Sequence, residues 1–183
     1  LEGVDYVYNF LATRQNRKTT GLIGVIVPRF QDLFFASLLD SIEKAARVAG
    51  YTIITQSSHG EKDYEEQAVN KLRSMNVDGA IIAPLGIEGN FEAFKSAVSD
   101  FPIIFADSRP SQPLPNSDFV GTDNEKSIGL IVEYLCRGGK APIFLAMPNL
   151  NTNAIERKGA YFENMRELGI QPEVVDTAKG RTS

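Results

Sequence analysis

Beyond residue 20 the chain alternates between short apolar runs and longer stretches whose apolar residues recur at three- and four-residue steps. Residues 21–28 read GLIGVIVP. Leu22, Ile23, Val25, Ile26 and Val27 follow almost without interruption and Pro28 closes the run, the pattern of a strand buried on both faces. A helix is predicted over 35–49, where Leu38, Leu39, Ile42, Ala45, Ala46 and Ala49 share one face and Gly50 supplies the stop. A strand over 52–56 and a helix over 62–75 follow, the helix burying Ala68, Val69 and Leu72 beneath a charged outer face. Next come a strand over 80–84, a helix over 91–98 and a strand over 102–107. After a Pro-rich loop over 108–116, DFVGT gives a short strand and leads into a helix over 123–136. Its start, Thr122-Asp123-Asn124-Glu125, fits a capping box, and Gly138 and Gly139 end it. The last elements are a strand over 143–147, a helix over 153–168 stopped by Gly169, and a partial strand at Val174 and Val175.

Strands separated by helices at this spacing imply right-handed βαβ units and a parallel sheet covered by helices on both faces, an α/β architecture. Residues 21–140 suffice for one layered subdomain. Residues 141–183 supply one complete strand, one helix and a strand fragment, too little to close a second sheet around its own core, so the second subdomain is expected to be incomplete.

The bulk composition narrows the function. With 183 residues, 43% hydrophobic and 23% charged, the chain can bury a real core, and a net charge of −4 argues against a body that binds nucleic acid electrostatically. One stretch departs from this: residues 10–20 carry Arg14, Arg17 and Lys18 and no acid. The single cysteine, Cys136, excludes an intrachain disulfide, and its place near a helix end reads as a buried structural thiol. No apolar run approaches the roughly 18 residues that span a bilayer, and residues 1–8 carry two acids and no basic region of a secretory signal. A cytoplasmic protein that does not enter a membrane is the expectation.

In an open α/β sheet, ligands bind beyond the carboxyl ends of the strands. The loops there carry Arg29 to Phe35 after the first strand, Asp107-Ser108-Arg109 after the 102–107 strand, Asp123-Asn124 after DFVGT, and Asn149, Asn151, Asn153 and Arg157 after the 143–147 strand. Aromatic faces, carboxylates, amides and guanidinium groups on one edge are the set that polyols and sugars require. Each also has a plainer reading. Phe34 and Phe35 open a helix and serve a core, Asp123 is a first-turn acid favoured by the helix dipole, Asp107 and Arg109 pair with each other at the surface, and Arg157 is a solvated mid-helix side chain. Their shared position tips the balance toward a site. Enzyme signatures are thin: His59 is the only histidine, in a Ser-Ser-His-Gly loop with no partner for a metal, and no nucleophile elbow, HExxH or phosphate loop occurs. No cofactor, metal or catalytic group is expected.

Taken together these segments resemble the lactose-repressor (LacI/GalR) family of transcriptional regulators. YVYN at residues 6–9 is similar to the end of that family's helix-turn-helix head, and FLATRQNRKTTGLIGVIVP to its hinge helix and first core strand, with Asn9, Ala12, Arg14, Arg17, Lys18 and Thr19 in the family's order. FFASLLDSIEKAARVAGY, VDGAIIAP, PIIFADSRP, VGTDN and AIERKGAY resemble successive segments of the core, and the likeness runs from Tyr6 to about Val175. The resemblance implies a type I periplasmic-binding-protein-like core. Residues 1–20 would be the end of the DNA-reading head and the hinge helix, 21–140 the N-terminal effector-binding subdomain, and 141–183 part of the C-terminal one. It implies effector contacts from Phe34, Phe35, Asp107 or Arg109, Asp123 and Arg157, and a DNA hinge comprising Asn9, Ala12, Arg14, Gln15, Arg17 and Lys18. Gln15 stands where the family places a Leu that wedges between base steps. Ser108 lengthens the acid–Arg turn, leaving open which of Asp107 and Arg109 points into the cleft. The function implied is a repressor that binds operator DNA, senses a small molecule of the sugar class and works as a homodimer, with a face of residues 38–49 meeting its twin. The competing reading is a solute-binding protein of an uptake system, which shares this core; an enzyme on a similar scaffold comes third.

Overall fold

A computed structural model describes residues 19–86, 89–146 and 151–176. The hinge positions Asn9, Ala12, Arg14, Gln15, Arg17 and Lys18 lie outside them, as does Asn149. The described elements run β1 (Leu22–Val27), α1 (Leu33–Val48), β2 (Thr52–Ser57), α2 (Lys62–Ser74), β3 (Gly79–Ile82), α3 (Phe91–Ala97), β4 (Ile103–Ala106), β5 (Ser117–Val120), α4 (Asn124–Cys136), β6 (Ile143–Ala146), α5 (Thr152–Glu167) and β7 (Glu173–Asp176). Every predicted element is present, with bounds shifted by one or two residues.

Five strands form a parallel sheet in the order β2-β1-β3-β4-β5. Registers such as Leu22↔Thr52, Ile23↔Gly79, Ala80↔Ile103 and Ile103↔Ser117 fix which side chains share a face. On one face Leu22, Ile26, Ala80, Ile82, Ile103 and Phe105 pack under Ala68, Val69 and Leu72 of α2 and Phe94 and Ala97 of α3, forming the main core. Gly24 lets α2 come close, because a Cβ there would stand 2.3 Å from Leu72 Cδ1. Helices flank both faces, as expected, but the other face is covered more thinly: Val25 and Val27 are buried there, yet none of the residues of α1 is itself buried, and Ile104 is 40% exposed. The amphipathic pattern chose the correct side of α1, but one helix is too narrow to cover the strands it faces.

Local chemistry explains the ends of α1. Asp32 caps its start by accepting from Phe34 N–H at 2.8 Å. At the other end Gly50 adopts φ +78°, while Gly50 and Tyr51 N–H groups donate to Arg47 and Ala46 carbonyls at 3.1 and 2.8 Å. That is a Schellman stop, which favours glycine.

The remaining elements gather around a second, smaller cluster. β6 and β7 pair in parallel, and Val132 of α4 joins Tyr161 and Met165 of α5 beneath them. The Tyr161 hydroxyl lies 2.9 Å from Pro142 carbonyl and 3.0 Å from Glu173 carbonyl, donating its one hydrogen there, and accepts from Glu173 N–H at 3.0 Å. It thereby ties the starts of both short strands together. Cys136 is half-buried against this cluster.

Candidate functional site

The carboxyl edge of the large sheet meets the start of α5, and most of the predicted site residues are there. The link from β4 to β5 holds the key turn. Ser108 N–H donates to Ala106 carbonyl at 2.7 Å across Asp107, which is left with φ +65°. A non-glycine residue in this region carries strain that persists where surrounding structure enforces it, often at functional sites. Asp107 N–H is anchored to Val120 carbonyl at 2.9 Å.

This turn sends Asp107 and Arg109 in different directions. The Asp107 carboxyl bonds to the Asn153 side chain and sits near Arg157 and Asp32. Partial burial raises its pKa from the ordinary carboxylate value, Arg157 and Asn153 pull it back, and Asp32 pushes with burial. Arg109 turns away. Its Nη2 donates to Glu156 Oε1 at 2.6 Å and its guanidinium lies over the Phe119 ring, 5.0 Å from the centroid. The two residues of the turn therefore do not pair with each other. Ser108 and Arg109 also meet Thr152, through the Ser108 hydroxyl at 3.2 Å and the Arg109 N–H at 3.2 Å.

Asn124 is the centre of the contact and was not singled out by sequence reasoning, which favoured its neighbour Asp123. It is 2% exposed. Its Nδ2 donates to Asn153 Oδ1 at 3.0 Å and Glu156 Oε2 at 2.7 Å, and its Oδ1 accepts from Arg157 Nε at 2.7 Å. Burial acts to raise the pKa of Glu156, but the bonds from Asn124 and Arg109 and the charge of Arg157 outweigh it and hold the carboxyl below its ordinary value. Asp123 instead caps α4, accepting from Lys126 N–H at 3.0 Å. The cap is thus Asp123 and not Thr122, because the first helical residue is Asn124. The signal for Asn124 was present in its position: the first residue of a helix at a strand end presents its side chain to the crevice, and an amide there can donate and accept at once.

Phe34 and Phe35 sit at the opening of α1 with ring centroids 5.1 Å apart, edge to face. Phe34 is 55% exposed and Phe35 half-buried, so neither belongs to the main core. Asp32, whose carboxylate caps the same helix, is near enough to Asp107 to act on it through its charge. The site therefore offers an aromatic pair, two carboxylates, two buried amides and an arginine held through its Nε by Asn124 and by the charges of Asp107 and Glu156. Among the described residues no group of histidine, cysteine and acidic side chains could hold a metal ion. His59 lies elsewhere, edge-on to Tyr64 at 5.7 Å. The arrangement can grip hydroxyls and stack on a C–H face.

The family model for periplasmic binding proteins and sugar binding domain of LacI family matches residues 20–181. The chain belongs to that family. It is 30% identical over 175 residues to the maltose regulon regulatory protein MalI of Escherichia coli, covering 93% of this chain and 49% of that one. With the transcriptional regulator PtxS of Pseudomonas putida the identity is 25%, over 98% of this chain and 53% of the other. The chain spans about half the length of the curated relatives it matches. A LacI-family regulator from Lactobacillus casei with bound glucose shares the fold at a TM-score of 0.70 and 20% identity, covering 85% of this chain and 58% of that one. No helix among the described residues is long and apolar enough to cross a membrane.

Proposed function

We propose that the chain is the effector-sensing part of a DNA-binding transcriptional repressor that responds to a sugar or sugar derivative. The observation that carries this reading is the crevice itself. Asp107, Asn153, Asn124 and Arg157 meet in one polar cluster, and Asp32, which caps the helix that opens with Phe34 and Phe35, acts on Asp107 through its charge; this is the chemistry a polyol needs. Relatives named as regulators, and a neighbour with glucose bound, support the class of ligand and the role. The basic stretch Arg14, Arg17 and Lys18 favours a regulator over an uptake protein, because a DNA hinge needs cations and a solute receptor does not.

In this scheme the effector replaces internal partners. Arg157 and Asp107 are now held by Asn124 and Asn153, and a sugar hydroxyl bridging them would reset how α5 meets the large sheet. A change in closure passes to the geometry of a cytoplasmic homodimer, and so to whether two hinges engage an operator together. The reading assigns no turnover to the site.

The test is a thermal-shift screen of the full-length protein against D-glucose, sucrose, D-ribose, sugar phosphates and nucleosides. One compound raises the melting temperature by mass action, and Arg157→Ala abolishes that shift while the unliganded midpoint stays within a few degrees. Operator binding that is indifferent to every compound would refute the sensor role.

A further inference from the structure

The strand order β2-β1-β3-β4-β5 reverses once, between β1 and β3, and ligands in open α/β sheets enter the crevice at such a reversal. The loop leaving β1 brings Asp32 and Phe34 to that place. The exit of β3 at Leu85 and the entry of α3 at Asn90 lie on the other side of that reversal. Both are held from beneath by Glu65 of α2, an acid that sits among Ala68, Val69 and Leu72 on the helix's buried face.

Glu65 is fully buried, at 0% exposed. Its Oε1 accepts from Leu85 N–H at 2.8 Å. Its Oε2 accepts from Asn90 Nδ2 at 2.9 Å and lies 3.5 Å from Asn90 N–H. Asn90, itself 6% exposed, also donates through Nδ2 to Lys62 carbonyl at 2.7 Å. Gly89 packs directly on this arrangement, since a Cβ there would lie 3.0 Å from Gly86 carbonyl and 3.6 Å from Glu65 Oε2.

A carboxylate taken out of water is costly, and Glu65 has no ion-pair partner among the described residues. Burial raises its pKa; the bonds from Leu85 and Asn90, and then the charge of Lys62, draw it back. An apolar residue at this position of α2 would serve the core better. What the acid does instead is take both loop ends at once, which neither a shorter nor an uncharged side chain can do with two acceptor oxygens.

We propose that Glu65 is a positioning residue of the effector site, fixing Leu85 at the exit of β3 and Asn90 at the entry of α3 on the side of the strand-order reversal opposite the β1 loop that carries Phe34 and Phe35. This rests on the sensor reading and adds to that site a second side and the residue that sets it.

The experiment is hydrogen exchange of the full-length protein with and without ligand, joined to titration with D-glucose, sucrose and D-ribose. Glu65→Gln keeps the side chain's size but turns an NH2 toward donors. The expected result is that Leu85 and Asn90 amides exchange at least about tenfold faster while Val25 and Ile82 amides keep their rates, and that the Kd of the sugar that binds rises about tenfold. Unchanged loop exchange overturns the tether whether or not any sugar binds. Faster loop exchange with an unchanged Kd overturns its place in the site. A wild-type protein that binds none of the sugars sinks the sensor reading, and the inference with it, while the ligand-free exchange still reports the tether separately. Should Glu65→Gln fail to fold, Asn90→Ala carries the same test, loosening the loop end while Glu65 remains.

Discussion

Ile103 and Ile104 are neighbours in β4 with the same side chain, yet one is 1% exposed and the other 40%. Ile103 points into the face closed by α2 and α3. Ile104 points to the opposite face, where Ile23, Ile81 and Pro102 look toward Ile42, Ala45, Ala46 and Ala49 of α1 across an open apolar groove. Strand periodicity gives both faces equal apolar character, because alternate residues of a parallel strand are both chosen for burial. What separates them is the number of helices each receives. The closed face has two, with aromatic residues filling the gaps, as in the edge-to-face contact of Phe94 with Phe105 at 5.4 Å. The α1 face has one, and its small residues leave space.

The sharpest way to break this contrast is at the closed face's tightest point. Leu72 is fully buried and is the side chain that a Cβ at Gly24 would strike. Leu72→Ala should cost about 2–5 kcal/mol in urea unfolding, the range for a truncated core leucine. Gly24→Ala should cost about 1–3 kcal/mol by overpacking. The two are coupled: in the Leu72→Ala background Gly24→Ala should cost almost nothing, since the methyl then fills part of the cavity. Additive effects would mean that Leu72 and Gly24 do not share one contact.

The same contrast shows what the sequence could and could not disclose. Periodicity placed every element, because each apolar run or stripe is a local property that survives folding. It could not disclose that none of the residues of α1 is itself buried, since cover depends on which helices arrive, not on the stripe of any one of them. At the site the strand-end rule located Phe34, Asp107, Arg109 and Arg157 at one edge. It named Asn124 but preferred its neighbour Asp123, whose carboxylate is spent on a cap, and it missed Glu156, because a buried amide and its acid partner have no period. The direction of Asp107 against Arg109 was set by a backbone turn at φ +65°, a feature that a non-glycine residue does not advertise.

A smaller effect is expected from the one acid inside the closed face. Burial holds the folded-state pKa of Glu65 above its unfolded value, so the native chain keeps that proton more tightly than the unfolded one. Stability from this group is present below the unfolded pKa and declines as pH climbs from the ordinary carboxylate range toward the raised value. Glu65→Gln should flatten that decline. Asp107 titrates in the same direction, so the measurement is the difference in slope between wild type and variant, read from urea midpoints across the acid range.

The smallest effect belongs to Ile104. Truncating it removes methyl groups that already touch water, and the groove beside α1 admits solvent in their place, so little transfer free energy is lost and no sealed cavity forms. Ile104→Ala should cost under about 1 kcal/mol in the same urea assay that finds Leu72→Ala costing several times more. Ile103→Ala, one residue earlier and facing the other way, should fall with Leu72→Ala. If Ile103 and Ile104 instead cost the same, the groove closes in solution, and the asymmetry between the two faces is a property of one conformation of α1 and not of the sheet.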